Sequence, residues 1–241
     1  MLFYGLAITL IGVLTLLELR GGARLDRNRL LNVTNWAIRL GMAFALMRFL
    51  PVLSAPSLID AKALPWPVAF LIFLLVVDFG EYLFHRAQHA VPWLWALHSL
   101  HHSDPDMNAT TTERHHWADQ FLKAVTIFPA AAFVISPTVP VGFAYMLCTL
   151  WNYVCHSDTR LTFGRWSWVL NSPAYHRRHH SNRPEHYNSN FAALLPLWDV
   201  LAGSYRKPDS FPRTGLDTEP ESLADLMTWP LRAAGRLTPA R

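Results

Sequence analysis

The sequence predicts an all-α integral membrane protein, a helical bundle whose histidine-rich segments gather at one face. Three observations carry this prediction. Hydrophobic residues make up 51% of the 241 residues and charged residues 16%, against about 25% charged in an average soluble domain. The few charges leave long apolar stretches uninterrupted. All 12 histidines lie between His85 and His186, and most recur at helical spacings of three and four. A mean hydropathy of +0.15 excludes a disordered chain. Two cysteines exclude a disulfide framework and a self-contained cysteine-ligated iron–sulfur centre. The net charge of +4 is a mild excess, and no nucleic-acid partner is expected.

The first apolar stretch, residues 1–17, carries no charge and is ended by Glu18 and Arg20. A bilayer span needs about 20 apolar residues, so this is a short span or a signal sequence. A signal peptide carries its basic residues before the apolar run. Here Arg20, Arg24, Arg27 and Arg29 follow it, and a retained span is expected. A second stretch covers residues 36–53, with Arg39 and Arg48 near its ends, where long basic side chains reach the interface. A third runs from Trp66 without charge to Val77, then through Asp78 and Glu81 to His89. The fourth, residues 124–157, has no Asp, Glu, Lys or Arg. As one helix it would measure about 50 Å, too long for a hydrocarbon core of about 30 Å. Pro137 and Pro140 predict a break, giving two antiparallel arms or a re-entrant hairpin. Residues 206–241 read as a polar tail with an amphipathic surface helix near Leu223.

The arginines between Arg20 and Arg29 place that loop in the cytoplasm by the positive-inside rule. Threading the chain from there puts His85, His89 and His156 at the cytoplasmic side, with the other histidines in segments between them. All 12 then fall on one face of one membrane.

Their spacing is that of metal ligands. His85 and His89 stand four apart, 40° around a helix, so both imidazoles face one way. His98, His101 and His102 repeat at i, i+3 and i+4, and so do His176, His179 and His180. Ser172-Pro173 opens the last group as a helix cap and first-turn residue. His156 follows the second hairpin arm, with Asn152 one turn earlier. These nine imidazoles are too many for one ion and divide into two ions with four or five each. Imidazole suits iron, copper, nickel and zinc. Two redox metals point to dioxygen activation; ligand counting leaves two zinc ions open. His115 and His116 point about 100° apart on a helix, so at most one faces such a site. His186, past Pro184, reads as an outlying residue. Asp78 and Glu81 are carboxylates within a span, expected to accept the outer N–H of a ligand imidazole or to pair with Arg86 or Arg114.

In this order, His85-Arg86-x-x-His89, His98-x-x-His101-His102 and His176-x-x-His179-His180 resemble the boxes of the fatty acid hydroxylase superfamily of sterol desaturases, lipid hydroxylases and alkylglycerol monooxygenases. Residues 90–103, 108–116, 171–173 and 190–205 resemble the family's intervening tracts. Phe191, Ala192, Ala202 and Trp117 depart from the commoner residues. The resemblance implies a cytosolic histidine-rich helical cap over the bundle. It further implies a non-haem centre of two iron ions using O2 to hydroxylate or desaturate a lipid. It makes His85, His89, His98, His101, His102, His156, His176, His179 and His180 the metal ligands. His116, Asn152, Asp78 and Glu81 are candidates for a further ligand or for support behind the ligands. Residues 1–60 are then N-terminal membrane helices, 61–205 the di-iron domain and 206–241 the cytosolic tail.

Electrons must come from a separate ferredoxin or cytochrome b5-like donor, because no Gly-x-Gly-x-x-Gly fingerprint is present. Arg177, Arg178 and Arg183 could receive it or bind lipid phosphate. Aromatic residues near the boxes, among them Trp93, Trp95, Trp151 and Tyr175, line a lipid path or anchor the interface. Arginine outnumbers lysine 18 to 3, which suggests a GC-rich bacterial genome and the inner membrane. The rival classes are a two-metal membrane hydrolase or isomerase and a metal-binding membrane protein without catalysis.

Overall fold

The computed structural model describes residues 2–47 and 56–233. The end of the second apolar stretch, with Arg48, and the last eight residues of the tail lie outside them. Nine helices occur among the described residues: α1 (Leu2–Arg20), α2 (Arg27–Met47), α3 (Trp66–Ala90), α4 (Pro92–His102), α5 (Trp117–Val134), α6 (Val139–His156), α7 (Pro173–His179), α8 (Leu197–Ala202) and α9 (Leu223–Ala233). Short 3-10 turns, including Ala109–Glu113, link them. The described residues hold no β-strand, only two isolated bridges.

Backbone chemistry sets the boundaries. Pro92 ends α3, because the residue before a proline leaves the helical region, and it also supplies the first turn of α4. The break expected at residues 136–140 is present: α5 stops at Val134, and α6 starts at Val139. Ser172 caps α7 by accepting from the Tyr175 N–H at 3.3 Å. Gly203, at φ 75°, takes the left-handed conformation that closes α8.

Two layers result. In one, α3, α5 and α6 pack an apolar core through Phe73, Val77, Ala131, Ile135 and Ala144. Among the described residues, α3 is the helix long and apolar enough to cross a membrane. The other layer is polar and lies at the C-terminal ends of α3 and α6, joined there by α4 and α7. Glu18, which ends the first apolar run, is buried in this layer. It accepts from Arg29 at 2.7 Å and from the backbone N–H groups of Ala109 and Asp158 at 3.0 and 2.8 Å.

Two expectations change. The second helix starts nine residues before the apolar stretch, and its first half is a polar docking face. Asn32 donates to Asp104 at 3.0 Å, Asn35 to the His115 carbonyl at 2.9 Å, and Arg39 to Glu113 at 2.5 Å. Helix α9 is also no free surface helix. Leu226 and Trp229 bury against Leu100 of α4, and the Trp229 indole donates to Ser99 at 2.9 Å.

Candidate metal centre

Nine imidazoles from four helices converge in the polar layer. They form two groups, and within each the ligand nitrogens all lie within 4.8 Å of one another. The first group holds His85, His89, His98, His102 and His179; the second holds His101, His156, His176 and His180. The helical periodicity sorts them. Each i, i+4 pair stays together: His85 with His89, His98 with His102, His176 with His180. The remaining member of each triple crosses over, since His101 joins the second group and His179 the first. Adjacent helical residues point about 100° apart, so His101 and His102 face different groups. The rings of His102 and His180 stack across the divide, 4.2 Å apart at 14°.

Backbone carbonyls orient three of the rings. His85 Nδ1 donates to the Phe191 carbonyl at 2.7 Å, His179 Nδ1 to that of Ser189 at 2.8 Å, and His156 Nδ1 to that of Asn152 at 2.8 Å. A neutral imidazole that donates through Nδ1 keeps a lone pair on Nε2. The Nε2 atoms of His85, His102, His179 and His180 are buried without a hydrogen-bond partner, as are both nitrogens of His89 and His98. In the second group, His156 Nε2 stands 3.0 Å from the Nε2 atoms of both His101 and His176. Two metal–nitrogen bonds of about 2.1 Å at right angles put their nitrogens about 3.0 Å apart. The donor set therefore fits a metal ion with cis ligands. Burial, with neighbouring imidazoles adding to it, holds His98, His101, His102, His176 and His180 well below the ordinary imidazole value. His179 is pushed down to about 4, mainly by burial. At neutral pH these rings are uncharged, the state a metal ligand requires.

Of the four other candidates, Asn152 supports a ligand and three fall elsewhere. Asp78 accepts no imidazole proton; it takes the N–H groups of Leu194 and Leu195 and the Trp198 indole at 2.9, 3.1 and 2.8 Å. It thereby ties α3 to the segment leading into α8. Glu81 pairs with Lys123 of α5 at 2.7 Å, not with an imidazole or an arginine. His116 turns away from both groups: its Nε2 meets the Met227 carbonyl at 2.9 Å, and its Nδ1 accepts from Ala118 N–H at the start of α5. Its neighbour faces inward, as His115 stacks on His101 at 4.2 Å and 12°. Asn152 supports His156 through its main-chain carbonyl. His186 contacts Ser181 at 2.9 Å, outside both groups.

Sequence reasoning missed Asp119. It is fully buried, 2.9 Å from His115 Nδ1, and accepts from Gln88 between the first two histidines. Its place four residues after His115 was the available signal. It also missed Asp199 as an organiser. That carboxylate accepts the N–H groups of Phe191 and Ala192 at 3.0 and 2.7 Å, Ser204 at 2.6 Å, and the Tyr175 hydroxyl. Arg177, read as a docking residue, is engaged internally with the carbonyls of Pro212 and Met107 and with Asp158 at 2.9, 3.2 and 2.8 Å. Arg178 pairs with Asp209 at 2.9 Å; Arg183 is exposed.

The model of the fatty acid hydroxylase family matches residues 70–204, which contain all nine imidazoles and the loop that orients His85 and His179. The chain belongs to the fatty acid hydroxylase family. Among curated relatives it is similar to an alkylglycerol monooxygenase of Xenopus tropicalis, 37% identical over 145 residues, covering 59% of this chain and 32% of that protein. An ornithine lipid hydroxylase of Rhizobium tropici is 29% identical over 146 residues, covering 59% of this chain and 44% of that protein. A Delta(7)-sterol 5(6)-desaturase of Eremothecium gossypii is 30% identical over 143 residues, covering 58% and 38%. The matched segment thus spans a third to under half of these relatives. No solved structure gave a significant match.

Proposed function

We propose that the protein is a membrane-bound non-haem di-iron oxygenase that hydroxylates or desaturates a C–H bond of a lipid with O2. The observation that carries this reading is the pair of buried all-imidazole groups with inward lone pairs. His85, His89, His98, His102 and His179 would hold one iron, and His101, His156, His176 and His180 the other. When bound, the irons supply activation of dioxygen for attack on an unactivated C–H bond. Ligands rich in nitrogen and lacking carboxylate oxygen argue against calcium or magnesium. The curated relatives named as monooxygenase, hydroxylase and desaturase support the oxidative reading over hydrolysis or metal carriage.

The chain's own residues position and seal. The carbonyls of Phe191, Ser189 and Asn152 fix the tautomers of three ligands. Asp199 holds the loop that presents Phe191. Helix α9 covers α4 with Leu226 and Trp229, shielding that helix from water. The helix α3 carries apolar residues into the bilayer, and α5 with α6 forms a hairpin beside it, so a lipid reaches the site between helices. The arginine-bearing segment that starts α2 is bonded through Glu18 to the end of α6. On that basis the positive-inside rule supports a multi-pass protein with its imidazoles at the cytoplasmic face, and the excess of arginine over lysine supports a bacterial inner membrane. Electrons come from a separate ferredoxin or cytochrome b5-like protein.

The test is reconstitution of the purified chain with ferrous iron, a reductant and a lipid extract, with and without oxygen. Products carrying one added oxygen, or lacking two hydrogens, in the aerobic sample alone are expected. Equal product without oxygen would refute the oxygenase reading.

A further inference from the structure

Six of the nine imidazoles belong to α4 and to α7 with its cap residue His180. Helices this short do not hold themselves, so their placement must be fixed from outside. Each is anchored where it starts. Helix α4 leaves α3 through the single residue Val91, whose carbonyl accepts from the Trp95 N–H at 2.9 Å. Before the Ser172 cap of α7, the Asn171 N–H donates to the Leu194 carbonyl at 2.9 Å. The far ends carry the pairs His101-His102 and His179-His180, and there the divide between the two groups lies. The His180 ring stacks on His102 at 4.2 Å and meets His101 at 4.6 Å.

These far ends are joined by the tail, through Thr214. This residue is buried. Its hydroxyl donates to the Asp104 carbonyl at 2.9 Å and accepts from the Met107 N–H at 3.1 Å, in the loop that follows His102. Its backbone bridges antiparallel to Ser181, next after His180. Beside that bridge the Asn182 N–H donates to the Arg213 carbonyl at 3.1 Å. Arg177 of α7 completes the clasp, donating to the carbonyls of Pro212 and Met107 at 2.9 and 3.2 Å. Gly215 shows how tightly the tail is pressed down. It has φ 100°, a conformation that favours glycine, and a Cβ there would stand 2.8 Å from the Pro105 Cα.

The two groups depend on this join unequally. The five-membered group has His85 and His89 on the long helix α3. The four-membered group has one ligand on a long helix, His156 of α6; His101, His176 and His180 come from α4 and α7. We infer that residues 212–215 are a strap that sets the geometry of the four-membered group, with Thr214 as its positioning residue. The inference rests on the two-metal reading above and extends the site into the tail, past residue 204 where the family match ends. Thr214 touches no imidazole; it acts through the loops that follow the two histidine triples.

The full chain in detergent, stripped of metal, is titrated anaerobically with cobalt(II). Cobalt with four ligands absorbs more strongly in the visible than cobalt with five, so the spectra tell the two groups apart. The wild type should take two tight equivalents. Thr214→Val keeps the side chain's shape but strands the Met107 N–H. In it the strongly absorbing equivalent should weaken about 10-fold, the low end for loss of support behind a metal ligand, and the other should change less. Thr214→Ser, which keeps the hydroxyl, should restore wild-type binding. Gly215→Ala, which lifts the strap off Pro105, should repeat the pattern of Thr214→Val and decides the case if that variant does not fold. Wild-type affinity of the strongly absorbing site in Thr214→Val would overturn the inference. So would equal weakening of both equivalents, the mark of general loosening, or failure of Thr214→Ser to restore binding. A wild-type chain that takes up no cobalt would sink the two-metal reading and the strap together. One that binds both ions yet oxidises no lipid would sink the oxygenase reading alone, and the variant titrations would still decide the strap.

Discussion

Asp199 touches no imidazole, yet its replacement by asparagine should loosen one iron and not the other. One carboxylate oxygen accepts the Phe191 N–H and the Ser204 hydroxyl; the other accepts the Ala192 N–H and the Tyr175 hydroxyl. An asparagine can supply only one of these oxygens. Whichever way its amide turns, one main-chain N–H meets another N–H. The hydroxyl on that side can rotate to a new acceptor, but the main-chain group cannot. A stranded buried N–H costs about 1–3 kcal/mol, which the loop relieves by shifting. That loop carries the Phe191 carbonyl bonded to His85 and lies beside the Ser189 carbonyl bonded to His179. Both histidines belong to the five-membered group. Loss of such a supporting bond typically lowers metal affinity about 10–100-fold. The four-membered group takes no bond from this loop; its His156 leans on Asn152. Anaerobic titration of the metal-stripped chain with ferrous iron or cobalt should show two tight equivalents in the wild type. Asp199→Asn should show one tight and one about 10–100-fold weaker. Two unchanged affinities, or two equally weakened ones in a chain of normal helicity, would refute the reasoning.

His116→Ala should leave metal content unchanged and cost about 0.5–2 kcal/mol as a lost helix cap, measured by chemical unfolding; metal loss would contradict its outward placement. Acid should destabilise the metal-free protein. The imidazoles of His98, His101, His102, His176 and His180 titrate well below 6.5 when folded and near 6.5 when unfolded. Below that pH the unfolded chain binds more protons, so stability present above about 6.5 is lost as pH falls. Each imidazole removes about 1.4 kcal/mol per pH unit until its folded value is reached. Unfolding temperatures of chelator-treated protein between pH 8 and 5 should be level above neutrality and fall steeply below it.

The parts legible in the sequence are those governed by near neighbours. Periodicity at three and four placed the boxed histidines on helix faces, and Pro137 and Pro140 marked the hairpin break. Ser172-Pro173 marked the start of α7. The spacing put all three imidazoles of each triple on one face, and there the structure differs: His101 and His179 cross to the other group, because adjacent residues stand about 100° apart. What stayed hidden was decided at long range. Asp78 and Glu81 had the right spacing to support His85, but Asp78 met two free N–H groups more than a hundred residues away, and Glu81 met Lys123. Arg114 is fully buried, donating to Ser103, Asn28 and Asn32 at 2.9, 3.1 and 3.1 Å. Nothing local distinguishes it from a surface arginine. Between His115 and His116, spacing alone left the choice open, and the backbone at the start of α5 made it.

The confinement of the histidines also has an energetic reason. In the unfolded chain each imidazole is hydrated. Folding buries the unpaired nitrogens of His85, His89, His98, His102, His179 and His180, at about 1–3 kcal/mol for each unsatisfied atom. Several such penalties rival a whole domain's net stability of about 5–15 kcal/mol. Apolar packing of α3 against α5 and α6 lies in the other layer and does not touch this cost. Helices α4 and α7, eleven and seven residues long, are too short to hold their shape alone. A cation held among the lone pairs, as proposed above, would offset the penalty where it arises, because its binding free energy becomes folding free energy. A histidine outside the two groups would gain nothing from such an ion, while each one inside would be held by it. The imidazoles are thus as much the core of the polar layer as Phe73 and Val77 are of the apolar one.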